Sequence, residues 1–290
     1  MTPQEYCQEK AANSGSSFYY SFLTLSEQKR DAIIAVYAFC REVDDIVDSH
    51  GDPQIKSTKL NWWHSEIDNL FNAVPQHPIT KALKPVIENF NLPKEYFTEV
   101  IEGMNMDLQQ QRYASFEDLS LYCYRVASIV GLMSAEIFGY QDRNTLKYAN
   151  DLGMAFQLTN IIRDVYDDFK NDRVYIPQDE LIRFGVTEQD IREQKHTDAF
   201  KKLMQFQVER ANRFYDQAFA QLPEDDRHSQ RTGIIMSSIY HALLDEIIKD
   251  DYQVLIHRIH LSSMRKLWLA WQTKRSENKR YKKHLKQHGK

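Results

Sequence analysis

Apolar residues recur along most of this chain at intervals of three and four, the repeat of a helix with one buried face. Ile33, Val36, Tyr37, Cys40, Val43 and Val47 form one such stripe. From Ser128 to Phe138 nearly every residue is small or apolar, which predicts a helix buried on all sides. Prolines at 3, 53, 75, 78, 85, 93, 177 and 223 leave long proline-free spans. Together these signals predict helices over 26–49, 54–73, 78–90, 94–111, 116–139, 143–170, 187–220, 225–250 and 262–274. Ser26, Asp118 and Asp142 are expected as caps or first-turn acids, with Gly51 and Gly139 as stops. No linker-like stretch divides the chain, so a single all-α domain is expected.

Composition sharpens this. Nine Gly and 8 Pro in 290 residues put turn formers at about half their average share. Few turns mean long helices, which disfavours a β-sandwich or a glycine-rich nucleotide fold. Cys7, Cys40 and Cys123 are odd in number and widely spaced, which argues against a disulfide framework or a cysteine zinc site and suits a reducing compartment. The N-terminus is polar, without an apolar signal core. No stretch approaches about eighteen uncharged apolar residues. A cytoplasmic location is therefore expected.

The net charge of −4 is unevenly spread. Residues 274–290 hold eight Lys/Arg against Glu277, a net +7, which leaves −11 on residues 1–273. An acidic body disfavours nucleic acid and suits divalent cations. The expected layout is a domain over 1–273 and a solvated, frayed basic tail over 274–290. Transient contact with an anionic membrane surface is that tail's candidate role.

Two acidic clusters interrupt apolar helices. Asp44 and Asp48 stand four apart, one turn from each other on one face, with Asp45 beside them. Asn160, Asp164 and Asp168 repeat the spacing as a stripe, with Gln157 a turn earlier and Asp167 alongside. Like charges at this spacing destabilise an isolated helix by about 0.2–0.5 kcal/mol, so a compensating charge is expected. Hard oxygen donors suit Mg²⁺ bound together with phosphate. Neither cluster has the Glu-x-x-His pair of a di-iron bundle, and a glycosidase carboxylate pair fits poorly with an all-helical chain. Arg41, Arg163, Lys170 and Arg173 flank the clusters and as a set resemble a diphosphate clamp. The segment from Lys170 to Asp179 follows the second cluster directly and is the irregular stretch expected to be functional.

These residues resemble the squalene and phytoene synthases. The matching strings are Ser14–Phe22, Tyr37–Asp48, Gly103–Leu108, Tyr122–Gly131 and Gly153–Asp168, in order over nearly the whole chain. The resemblance implies a class I isoprenoid synthase bundle around a central cavity. It implies Mg²⁺ held by Asp44 and Asp48 on one side and by Asn160, Asp164 and Asp168 on the other. Tyr37, Arg41, Gln157, Arg163 and Tyr240 would contact diphosphate or the reacting carbons, and Arg265 would close the site. Phe18 and Phe22 are candidates for the chain-binding wall, with Phe22 where the family sets pocket depth. Within the family the strings are most similar to the bacterial hopanoid-pathway branch, which condenses two farnesyl diphosphates to presqualene diphosphate without requiring NADPH. Downstream pathway enzymes are then possible partners.

The chain departs from the family at two points. Tyr166 and Asp167 occupy the middle of the second cluster. Where other members carry a tyrosine before Val-Ala, this chain has Arg125, with Tyr124 one position earlier as the candidate catalytic tyrosine. Phytoene synthesis from geranylgeranyl diphosphate, NADPH-dependent squalene synthesis and a non-catalytic scaffold are the competing readings. The scaffold predicts loss of a carboxylate at 44, 48, 164 or 168, and all four are present. His257 and His260, Trp62–Trp63 and Cys40 are expected to be structural.

Overall fold

The computed structural model describes residues 1–13, 21–22, 25–49 and 51–287, and among these there are helices and no strand. The helices are α1 (Pro3–Asn13), α2 (Glu27–Asp48), α3 (Pro53–Asn72), α4 (Pro78–Phe90), α5 (Lys94–Gln109), α6 (Phe116–Cys123) and α7 (Ile129–Phe138). They continue with α8 (Asn144–Lys170), α9 (Gln178–Phe184), α10 (Glu188–Arg192), α11 (Asp198–Gln221), α12 (Arg231–Lys249) and α13 (Ser263–Gln287). Local chemistry accounts for most ends. Asp52 accepts a hydrogen bond from the Gln54 amide ahead of Pro53, and Ser115 forms a capping box with Asp118. Gly139, at φ 80°, ends α7 where a side chain would be strained. Ser26 makes no side-chain cap bond.

Two apolar cores share α7. One packs α1–α5 against Ile129, Met133 and Ile137; the other packs α6, α8, α11 and α12 around Ala135. No residue from Ser128 to Phe138 is exposed, but the helix is not buried on all sides: Val130, Gly131 and Ser134 are part-buried on the wall of a cavity. By length and composition the continuous helix Phe116–Phe138 is apolar enough to cross a membrane, contrary to the sequence expectation. In this fold it packs against α5 and α8, with Glu117, Asp118, Leu121 and Tyr124 exposed on its other side. A π-helical turn, Tyr124–Ser128, joins α6 to α7. Gly153 of α8 lies against it so closely that an added Cβ would sit 2.6 Å from the Ala127 carbonyl oxygen.

Three stretches differ from expectation. The span 187–220 breaks into α10 and α11, because Thr187 caps one helix with Asp190 and Thr197 caps the next. Helices α1 and α9 form where none is expected, each started by a proline with acids in its first turn.

The basic segment is not a frayed tail. From Lys274 to Gln287 it continues α13, docked on α12 and on the turn Glu224–Asp226. Glu277 is buried and receives Arg227 at 2.7 Å, His284 reaches Asp225, and Tyr281 stacks on His228 at 3.9 Å. The segment is thus held by Glu277, Tyr281 and His284 and by Arg280 on Glu224, while its other described lysines and arginines stay exposed.

Candidate active site

A cavity of about 520 Å³ runs into the bundle between α2, α5, α7, α8 and α12. Its inner wall is mostly apolar, including Phe22, Val36, Met104, Val130, Leu152 and Phe156. Its mouth carries Arg41, Asp44, Gln157, Asn160, Arg163, Arg258 and Lys266. The volume lies within the usual range for small-molecule sites, about 300–1,000 Å³.

On α2, Arg41 bridges Asp44 and Asp45, both at 2.7 Å. Asp45 is also held by Lys10 of α1 at 2.8 Å, so it serves as an anchor between helices. Burial pushes the Asp44 carboxyl up to about 7, and the Asp48 charge adds to the rise against the pull of Arg41. On α8, burial raises Asp168 to about 8, with Asp164 adding to it. Burial acts on Asp164 too, but Arg163 and Arg258 outweigh it and hold this carboxyl below its ordinary value. Arg258 reaches Asp164 at 2.7 Å from outside the helix, and Arg163 grips the same carboxylate.

The two acidic helices meet through Arg173. It lies just beyond the end of α8, in the segment singled out after the second cluster, and binds the Asp48 carboxylate at 2.8 Å and the Val47 carbonyl at 3.3 Å. Between the helices stands Asp107 of α5, buried and accepting hydrogen bonds from Tyr175 at 2.8 Å and Tyr122 at 2.9 Å. Burial raises Asp107 to about 6, while Arg173 and the two tyrosines oppose the rise. Asp107 in turn raises both Asp44 and Asp168. Both ladders therefore face one carboxylate and one guanidinium.

The donor set is carboxylate and amide oxygen, which fits a hard divalent cation rather than a soft one. Among the described residues no three acids or imidazoles already converge on one point; arginines hold Asp44, Asp48 and Asp164 in ion pairs instead. Asp44, Asp48, Asn160, Asp164 and Asp168 are the side chains that would hold the ion.

The other expected site residues divide. Tyr37 lines the cavity with its ring edge-on to Phe22 at 6.3 Å. Tyr240 is buried 4.7 Å from Phe156, and burial raises its hydroxyl. Gln157 accepts from Asn160 at 3.4 Å. Phe18 lies outside the described residues. Lys170 is exposed and pairs with Asp167 at 2.6 Å, away from the main cavity. Arg265 binds Glu246 at 2.9 Å and does not line the cavity, whereas its neighbour Lys266 does. Tyr124 is a correction. It opens the π turn, is 36% exposed and lies off the cavity wall, whereas Tyr122, near the end of α6, lines the cavity.

Asp107, Tyr122, Tyr175, Arg258 and Lys266 are the functional candidates that sequence reasoning misses. Asp107 left one signal, a lone acid in the string Gly103–Leu108 among apolar neighbours. Arg258 left none, since it comes within reach of Asp164 only through the fold, 94 residues away in sequence. His257 pairs with Asp250 and Trp63 is packed in the core, in keeping with structural roles, whereas His260 lines the cavity and Trp62 is exposed. Burial pushes the Cys40 thiol up to about 12.

A family model for squalene/phytoene synthase matches residues 11–265. The 15-cis-phytoene synthase of Synechococcus elongatus is 36% identical over 278 residues, covering 91% of this chain and 89% of that protein. The chloroplastic phytoene synthase of Narcissus pseudonarcissus is 35% identical over 267 residues, but this chain spans only 63% of its length. Among solved structures, squalene synthase HpnC from Alicyclobacillus acidocaldarius superposes with a TM-score of 0.78 at 28% identity, covering 86% of this chain and 94% of that one. A dehydrosqualene synthase in complex with a ligand gives 0.83 at 28% identity over 96% and 97%. With its cavity, its paired acidic helices and these matches, the chain belongs to the squalene/phytoene synthase family, prenyltransferases that join isoprenoid units head to head.

Proposed function

We propose that the chain condenses two farnesyl diphosphates into presqualene diphosphate, releasing pyrophosphate and a proton. The observation that carries this reading is an apolar cavity opening between two acidic helices, with Arg41, Arg163, Arg258 and Lys266 at its mouth. The cations receive the diphosphate groups and keep them at the polar end, while the prenyl chains enter the apolar wall. Mg²⁺, when bound by the acidic residues, neutralises the donor's diphosphate and makes it a better leaving group.

Breaking the donor C1–O bond leaves an allylic cation. Phe22, Tyr37, Phe156 and Tyr240 line the cavity, and aromatic faces stabilise a cation by about 0.5–2 kcal/mol. The same wall excludes water that would quench it. The acceptor double bond then adds to C1, and loss of a proton from C1 closes the cyclopropane. No hydride is consumed in this sequence, so NADPH is not required. Phe22 lines the cavity, and a bulky ring on the chain wall would favour fifteen-carbon over twenty-carbon substrates.

The curated relatives named phytoene synthases support a second reading, condensation of geranylgeranyl diphosphate to phytoene. Incubating the purified protein with either diphosphate and Mg²⁺, with and without NADPH, distinguishes them. Presqualene diphosphate under both conditions is the expected product. Squalene appearing only with NADPH would replace this reading with the two-step enzyme, and turnover of the twenty-carbon substrate alone would replace it with phytoene synthesis.

A further inference from the structure

We propose that the outer face of α13 is a docking surface for an anionic phospholipid bilayer. The helix has two unlike faces. Its inner face carries Lys266 on the cavity wall, Leu269 and Ala270 against the core, and Glu277 in its buried ion pair. Its outer face begins with Met264, Leu267, Trp268 and Trp271, spaced i, i+3, i+4 and i+7. These are 81%, 48%, 55% and 56% exposed, an apolar and aromatic patch with no protein to cover it among the described residues.

The same stripe then changes character. Arg275, Lys279, Lys282 and Lys286 continue it one turn after another, all exposed. Arg275 lies over the Trp271 ring at 5.4 Å, and none of the three lysines has an ion-pair partner among the described residues. Arg280, by contrast, turns toward the body and pairs with Glu224. Cations that serve the fold are thus paired, and those on the outer stripe are not. Tryptophan and aliphatic groups beside a run of unpaired lysines fit the two layers of a bilayer surface, acyl boundary and anionic headgroup.

Charge selects this occupant over the others. A second copy would set one cationic face against another and be repelled. A nucleic acid would engage the lysines but leave Met264 and Leu267 without apolar cover. The acidic body, net −11 outside residues 274–290, is repelled by an anionic surface and so turns away from it. Docking in this orientation places a helix of the cavity wall at the interface where prenyl chains partition. The proposal rests on α13 and not on the identity of the substrate.

The test is co-sedimentation of the full-length protein with vesicles of phosphatidylcholine, alone or mixed with phosphatidylglycerol, read alongside tryptophan fluorescence. Binding is expected only with the anionic lipid, with a blue shift. The double variant Trp268→Ser/Trp271→Ser is expected to bind at least about tenfold more weakly. The triple variant Lys279→Glu/Lys282→Glu/Lys286→Glu is expected to lose about a hundredfold. Both keep the parent's melting temperature and its turnover of dispersed substrate. The proposal is overturned if the parent does not sediment with anionic vesicles, or if the tryptophan variant binds them as the parent does. It is equally overturned if the patch instead holds a solution dimer, or a DNA duplex, with no vesicle binding.

Discussion

Asp168 and Asp44 carry an electrostatic cost that the fold accepts for the sake of the site. Burial first, and then the neighbouring carboxylates, raise them to about 8 and about 7. An unfolded aspartate titrates near 3.9. Between that value and the raised one, the folded state keeps a proton that the unfolded state has lost, so folding stability falls as pH rises through this window. Below pH 4 both states are protonated and no penalty remains. Asp168→Asn is neutral throughout. It is expected to melt at least about 3 °C above the parent at pH 8 in metal-free buffer, to match it near pH 4, and to lose turnover. Calorimetry at the two pH values checks this, and equal melting at pH 8 would remove the burden assigned to Asp168. Arg173→Met is the mirror case, since Arg173 opposes the rise at both Asp107 and Asp168 and pairs with Asp48. A loss of at least about 2 kcal/mol is expected at pH 8, shrinking as the acids protonate. Denaturant titration at both ends of the range decides it. Asp44, Asp48, Asp164 and Asp168 were legible from helical spacing alone. Asp107 was not, because one acid on a helix has no partner spacing to betray it.

At the level of elements, the contact between α8 and the π turn sets where the second acidic ladder stands. Gly153 lets the two backbones meet, and any Cβ there strikes the Ala127 carbonyl and the Ser128 Cα. Neither can rotate away as a side-chain tip would. Gly153→Ala therefore has to push α8 outward, at about 1–3 kcal/mol or more. A fall in melting temperature is expected, together with reduced turnover, because α8 carries Asn160, Asp164 and Asp168. A variant as stable and active as the parent would mean that the contact does not position α8. The apolar repeat located α2, α3, α4 and α5 to within a residue or two of their ends, since proline and capping residues mark those ends locally. The π turn carried no such mark. Tyr124 shows the consequence: it opens the π turn and is exposed, and only the packed helix reveals that Tyr122 is the tyrosine facing the cavity.

For the molecule as a whole, the C-terminal helix is part of the structure and not an appendage. Removing residues 274–290 strips Glu277 from Arg227, whose side chain is only 13% exposed, and removes the stack on His228. A loss of about 2–4 kcal/mol is expected from leaving that guanidinium unpaired, read as a lower melting temperature. A truncated chain that melts with the parent would instead describe a frayed end. Fold class, the long helices and the two carboxylate ladders follow from the chain's own pattern, because spacing on a helix dictates which side chains share a face. The cradle of Asp107, Tyr122 and Tyr175, the hold of Arg258 on Asp164, the bridge from Arg173 to Asp48 and the docking of α13 do not. Each joins residues far apart in sequence, and burial, which gives such pairings their energy and their shifted acidities, exists only once distant helices have packed.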